Sequence, residues 1–158
     1  MTKIMFVCHG NICRSPMAEF IFKDLIKKRG LEDKFKVSSS ATSDEEIYRG
    51  VGNPIYPPAL RELQKNGIYP DDKRAVRLKK EDLPLYDMFV CMDDKNLRNM
   101  RYILGNEAEG KMYKLLSFIG SERDVLDPWY SGDFTSAYND ILSGCTALID
   151  KITEEKKW

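Results

Sequence analysis

The run Cys8-His9-Gly10-Asn11-Ile12-Cys13-Arg14-Ser15 sets a thiol and a guanidinium at the two ends of one short loop. A loop of this length, leading into a helix, can turn its backbone N–H groups inward and cradle an oxyanion. Gly10 permits close approach or a positive φ, and Asn11 tolerates the left-handed region. Arg14 adds a planar fork able to hold two oxygens at once. Cys8, at the base of the loop, would aim its sulfur at the centre of the bound anion. The helix dipole, the inward N–H groups and Arg14 all favour the thiolate, the form that attacks. Ser15 can donate a hydrogen bond to that sulfur and ease its later departure. The chemistry implied is nucleophilic attack on phosphorus or a similar oxyanion centre.

Cleaving a phosphate ester this way also needs a proton for the leaving oxygen. The segment Asp127-Pro128-Trp129-Tyr130 offers a carboxyl group for that task. Pro128 restricts Asp127 to extended backbone angles and so helps fix its aim. Trp129 and Tyr130 provide flat walls for an aromatic leaving group, although plain packing would also use them. His9 reads as a residue of the pocket rim rather than a base. Cys91 and Cys145 lie in apolar runs and read as core.

These groups need a scaffold. Lys3–Val7 is a short apolar run that suits a buried strand. A helix is expected from Ser15, with Ser15 as its N-cap and Pro16 at the first helical position. Its apolar stripe is Met17, Phe20, Ile21 and Leu25. Phe35–Ser39 reads as a second strand, and the polar stretch Ser40–Pro57 as a loop. A helix over Pro58–Asn66, a strand over Tyr86–Met92, a helix over Asp94–Leu104 and a strand over Lys111–Leu115 follow. A second long loop spans Ser117–Asp133. The last helix carries apolar residues at Phe134, Ala137, Tyr138, Ile141, Leu142, Cys145, Leu148, Ile149 and Ile152, a clear 3.6-residue period. Alternating elements imply an α/β fold: a four-stranded, mostly parallel sheet with helices on both faces. Ligands in such sheets bind beyond the carboxyl ends of the strands, where Cys8–Arg14 falls.

With 158 residues the chain has room for one domain, taken as 1–158. Lys+Arg and Asp+Glu both number 25, so the formal net charge is zero. That balance argues against a nucleic acid or an anionic membrane as partner. The N-terminal apolar run is too short for a signal peptide core or a membrane span. Four cysteines make no secreted framework, and a single His is too few for a usual zinc site. A reducing cytoplasm is the default compartment, with export without a signal peptide left open, and a monomer is expected.

The early Cys-x5-Arg-Ser loop together with the late Asp-Pro-aromatic-aromatic loop resembles the low-molecular-weight protein tyrosine phosphatases. Tyr86–Asp93 with Asn96 resembles that family's third strand and following turn. Asp127–Phe134 with Tyr138 and Ile141 resembles its acid loop and last helix. The resemblance implies a flavodoxin-like phosphatase fold and a phosphotyrosine-containing protein as substrate, with no cofactor or metal. It implies Cys8 as nucleophile, Arg14 as phosphate binder and Asp127 as acid then base. His9, Gly10, Asn11, Ile12, Cys13, Ser15, Tyr48, Trp129 and Tyr130 would line or build the substrate site. It also implies that Asn11 braces the loop with Ser15 and with a serine at the end of the second strand, matched here to Ser40. A reversible disulfide between Cys8 and Cys13 is a further implication, with packing under the loop as the alternative for Cys13.

This chain departs from the family pattern at Thr42, where Gly is usual, and near Lys73, where His is common. Its Ser43–Val51 wall is unusually acidic, with Asp44, Glu45 and Glu46. An arsenate reductase would need a resolving cysteine pair, whereas Cys91 stands alone in a strand. A protein-arginine phosphatase would resemble Cys-x-Gly-Asn-Thr-Cys-Arg, with Thr in place of Ile12. A non-catalytic phosphate-binding or redox-sensing module is the reading from another class.

Overall fold

The computed structural model describes residues 1–157. Strand β1 (Thr2–Cys8) is central, and its alternation sorts the core. Ile4, Phe6 and Cys8 join one apolar cluster, while Met5 and Val7 join a second on the opposite face. That division follows from the two-residue period of a strand buried on both sides. Helix α1 (Arg14–Lys28) returns over the first face and leads to β2 (Phe35–Ala41). A small antiparallel hairpin of β3 (Ile47–Tyr48) and β4 (Val51–Gly52) follows, then α2 (Pro57–Lys65). Strand β5 (Met88–Cys91), helix α3 (Asp94–Leu104) and strand β6 (Met112–Lys114) complete the sheet. A short helix α4 (Pro128–Ser131) precedes the long α5 (Phe134–Lys156).

The main sheet has the order β2-β1-β5-β6, and each of its pairings is parallel. The first cluster gathers residues of α1, α2 and α5, and the second gathers those of α3, so helices cover both faces. Helix α5 buries Ala137, Tyr138, Ile141, Cys145, Leu148, Ile149 and Ile152, the spacing expected of one helical face. Gly144 is fixed by closeness: a Cβ there would lie 2.5 Å from Leu115 Cγ. No helix among the described residues is long and apolar enough to cross a membrane.

The sequence-based elements are all present, with shifted ends and three corrections, the first being that the expected loop Ser117–Asp133 contains the short helix α4. The stretch expected to be loop between β2 and α2 contains the hairpin, pinned where a Cβ on Gly52 would fall 2.0 Å from the Ala75 carbonyl oxygen. Ser15 is not the cap of α1: Cys13 holds that position with no side-chain bond, and Ser15 lies inside the first turn. Its hydroxyl is committed to the sulfur of Cys8 instead. The unassigned stretch after α2 runs beside the end of β2 through an Ala41–Arg77 bridge and continues into a 3-10 turn over Lys80–Leu85.

Candidate active site

Cys8 ends β1 at the carboxyl edge of the sheet, and α1 begins at Arg14, so the loop between them caps that edge. Asn11 takes φ 60°, the left-handed conformation its short polar side chain tolerates. Gly10 does not take a positive φ; a Cβ there would make a tight 3.2 Å contact with the Glu46 Cγ. The Cys8 sulfur lies 3.0 Å from Ser15 Oγ and accepts from the Ser15 amide at 3.4 Å. Both contacts stabilise negative charge on sulfur at the helix start.

The back of the loop is a buried hydrogen-bond chain. Asn11 Nδ2 donates to Ser15 Oγ at 2.8 Å and to Ser39 Oγ at 3.0 Å. Ser39 in turn donates to Glu19 Oε1 at 2.6 Å, and the amide of Val76 donates to Asn11 Oδ1 at 3.0 Å. Ser39, and not Ser40, is therefore the serine that braces the loop. Period-two alternation decides it: Ser39 pairs with Phe6 on the α1 face of the sheet, whereas Ser40 pairs with Val7 and points to the other face. Lys73 supports this region without reaching Ser15, donating to the Ser39 carbonyl at 3.0 Å.

Arg14 is almost fully buried. Its Nη1 donates to Asp93 Oδ2 at 2.8 Å and to the Val125 carbonyl at 2.7 Å. Its Nη2 lies 3.6 Å from Asp127 Oδ2. Burial works against the guanidinium charge, but Cys8, Asp93 and Asp127 outweigh it and hold the Arg14 pKa above its ordinary value. Asp93 is doubly used: its other oxygen caps α3 by accepting from the Asn96 amide at 2.7 Å. No role follows for Asp93 from its sequence position alone. The signal available was an Asp just before a helix start.

Asp127 has extended backbone angles, as expected before Pro128, and caps α4 through the Trp129 amide. One cleft is lined by Cys8, Cys13, Arg14, Asp127, Trp129 and Tyr130. His9, Gly10, Ile12, Glu45 and Glu46 complete its rim, and His9 Nε2 lies 3.0 Å from Glu45 Oε2. Tyr56, which no sequence signal marked, packs against Trp129 with ring centroids 4.6 Å apart and planes tilted by 47°. Asn11 and Ser15 are not in the cleft lining; their side chains act from behind. Tyr48 is also outside it, exposed on the hairpin with Arg49 over its ring. Cys13 belongs to the cleft lining, its thiol pKa pushed up by burial and then by Cys8 and Asp127. Cys91 and Cys145 are buried, as expected of core residues, and burial raises both thiols as well.

A thiol at the base of an amide-rich loop, an arginine fork and a facing carboxyl on an α/β sheet define a cysteine-dependent phosphatase class. Comparison with known proteins narrows this. Residues 3–158 match the family model of the low molecular weight phosphotyrosine protein phosphatases, and the chain belongs to that family. It is 36% identical over 159 residues to the low molecular weight protein-tyrosine-phosphatase YfkJ of Bacillus subtilis, covering 99% of both chains. The crystal structure of YfkJ superposes with a TM-score of 0.92, at 37% identity, covering 99% of this chain and 97% of that one. Identity to Staphylococcus aureus PtpA, also a low molecular weight protein-tyrosine-phosphatase, is 36% over 98% of this chain and 96% of the relative. A Drosophila arginine phosphatase structure matches at 29% identity and TM-score 0.83, over 96% of this chain and 98% of that one. The chain is thus a phosphatase enzyme, and Cys8 and Arg14 fit the family's Cys-x5-Arg loop.

Proposed function

We propose that the chain hydrolyses phosphotyrosine in proteins through a cysteinyl-phosphate intermediate. The Cys8 sulfur attacks phosphorus, while Arg14 and the loop amides hold the three equatorial oxygens. The bond from phosphorus to the tyrosyl oxygen breaks as Asp127 delivers its proton to that oxygen. Asp127 then takes a proton from water, the water oxygen attacks phosphorus, and the thiolate leaves toward the Ser15 hydroxyl. The observation that carries this reading is convergence: Cys8, Arg14 and Asp127 line one cleft, with the Asp127 carboxylate 3.6 Å from the Arg14 fork. Residues 1–158 are read as one domain, working as a monomer. All four cysteines are free, which fits the reducing cytoplasm as its compartment.

The test is hydrolysis of an aryl phosphate, with excess chelator, by the native chain and by Cys8→Ser. Activity that survives the chelator and falls at least 10³-fold in the variant is expected. Substantial activity in Cys8→Ser would sink the nucleophile assignment. The likeness to an arginine phosphatase sets a second comparison. Apolar Ile12 and the packed Tyr56–Trp129 pair favour an aromatic leaving group. A phosphotyrosine peptide should therefore turn over faster than a phosphoarginine peptide, and the reverse order would transfer the reading to that activity.

A further inference from the structure

Behind the loop, along the edge strand β2, lies a polar recess of about 320 Å³. It is lined by Ser38, Ser39 and Ser40 of β2 and by Lys73, Arg77, Lys79 and Tyr86. The Ser40 hydroxyl is fully buried and has no hydrogen-bond partner. A buried hydroxyl without a partner is costly, so such a group commonly faces a bound water or ligand. Two carboxylates also border the recess, but both are engaged. Glu19 accepts from Ser39 and Lys23, and Asp82 accepts from the Lys79 amide. Lys73 is half-buried, and burial lowers its pKa despite the nearby Glu19. An ammonium in that setting gains from an added acceptor.

We propose that this recess is a second oxyanion site, separate from the catalytic loop, that takes a phosphate group between Ser40, Lys73 and the rim cations Arg77 and Lys79. The site is wired to the nucleophile. Lys73 donates to the carbonyl of Ser39, whose hydroxyl accepts from Asn11, and Asn11 donates to the Ser15 hydroxyl beside the Cys8 sulfur. Val76, between Lys73 and Arg77, donates its amide to Asn11 Oδ1. An anion drawing Lys73 and Arg77 inward therefore pulls on the segment that holds Asn11 in its left-handed conformation. The site stands independently of which residue is the nucleophile. Inorganic phosphate and the phosphoryl end of a larger metabolite share the required chemistry.

The experiment is a titration of the whole protein with inorganic phosphate, followed by amide NMR shifts. Two separable midpoints are expected: one reported by Gly10–Arg14, the other by Ser38–Ser40 and Val76. Lys73→Met and Ser40→Val should each weaken the second midpoint by about tenfold or more, and by far more than they shift the first. Arg77→Gln with Lys79→Gln, at exposed positions, serves the same purpose should a buried variant fail to fold. Rear amides that track the front midpoint in the native chain and in every variant would overturn the proposal, because they would only be sensing the catalytic loop. Rear amides that do not move would overturn it too, leaving a water-filled recess. Methylphosphonate in a parallel titration separates the sources: tighter binding than phosphate points to an esterified ligand, weaker binding to the free ion.

Discussion

The two loops that meet at the cleft are built in opposite ways. The Cys8–Arg14 loop is held from behind by a closed set of buried partners: Ser15, Ser39, Glu19 and the Val76 amide all converge on or through Asn11. The Asp127–Tyr130 loop is mostly at the surface, with Leu126, Trp129 and Tyr130 exposed. Its ties are the Val125 amide to the Met92 carbonyl, the Arg14 fork to the Val125 carbonyl, the long Arg14–Asp127 pair, and the tilted Tyr56–Trp129 contact. A site for charge that develops in the transition state must be preorganised, because reorganisation at that moment raises the barrier. An acid that serves two steps and admits a protein substrate gains from a looser mount.

Leaving-group dependence offers the sharpest way to break this contrast. On the proposed mechanism Asp127→Asn removes the proton donor, so esters with poor leaving groups should slow by roughly 10²–10⁴-fold. Activated aryl esters, which depart without a proton, should slow far less. Equal losses on both would show that Asp127 is not the acid.

Asn11→Ala attacks the other loop. It unties Ser15 and Ser39 together and leaves a non-glycine residue at φ 60° without the polar side chain that eased it. A loss of about 10²-fold in kcat/KM is expected from misplacing the nucleophile, similar for good and poor leaving groups. A Brønsted plot steepened by Asn11→Ala would contradict the division of labour. Asp93→Ala extends the comparison to the junction of the two loops. It strips a buried guanidinium of its nearest carboxylate and removes the α3 cap. Destabilisation of about 3–5 kcal/mol is expected in denaturant unfolding, with activity lost alongside.

The same contrast explains what could be read from residues alone. That Cys8 and Arg14 form the Cys-x5-Arg loop, and that Asp127 is a candidate to share its cleft, was legible because the signals are local: a strand end, a helix start and an Asp-Pro pair each announce themselves within a few positions. The strands and the long α5 were legible through unbroken periodicity. The brace was misassigned by one residue, to Ser40, because in a run of three serines composition does not say which side chain faces α1; register does. Asp93 and Tyr56 were missed because their importance comes from tertiary meeting, 79 positions from Arg14 in the first case. The Ser15 cap failed for a related reason. A serine at a helix start ordinarily bonds the local backbone, and here the sulfur of Cys8 competes for it and wins.

The smallest expected effect concerns who enters the cleft. Glu45 and Glu46 belong to its lining, and the only histidine, His9, is turned toward Glu45 at 3.0 Å. Both carboxylates stand at the rim, where water and salt screen them, so each is worth a modest amount to a passing charge. A phosphotyrosine peptide with flanking Lys should therefore be preferred over one with flanking Glu by about two- to tenfold in kcat/KM at low salt. The preference should shrink as ionic strength rises. Glu45→Gln with Glu46→Gln should narrow it while leaving kcat on a small aryl phosphate unchanged, since the small substrate has no flanks to meet the rim. A flank preference that persists in the double variant would move the discriminating charge elsewhere, with Asp44 the nearest remaining carboxylate in the sequence.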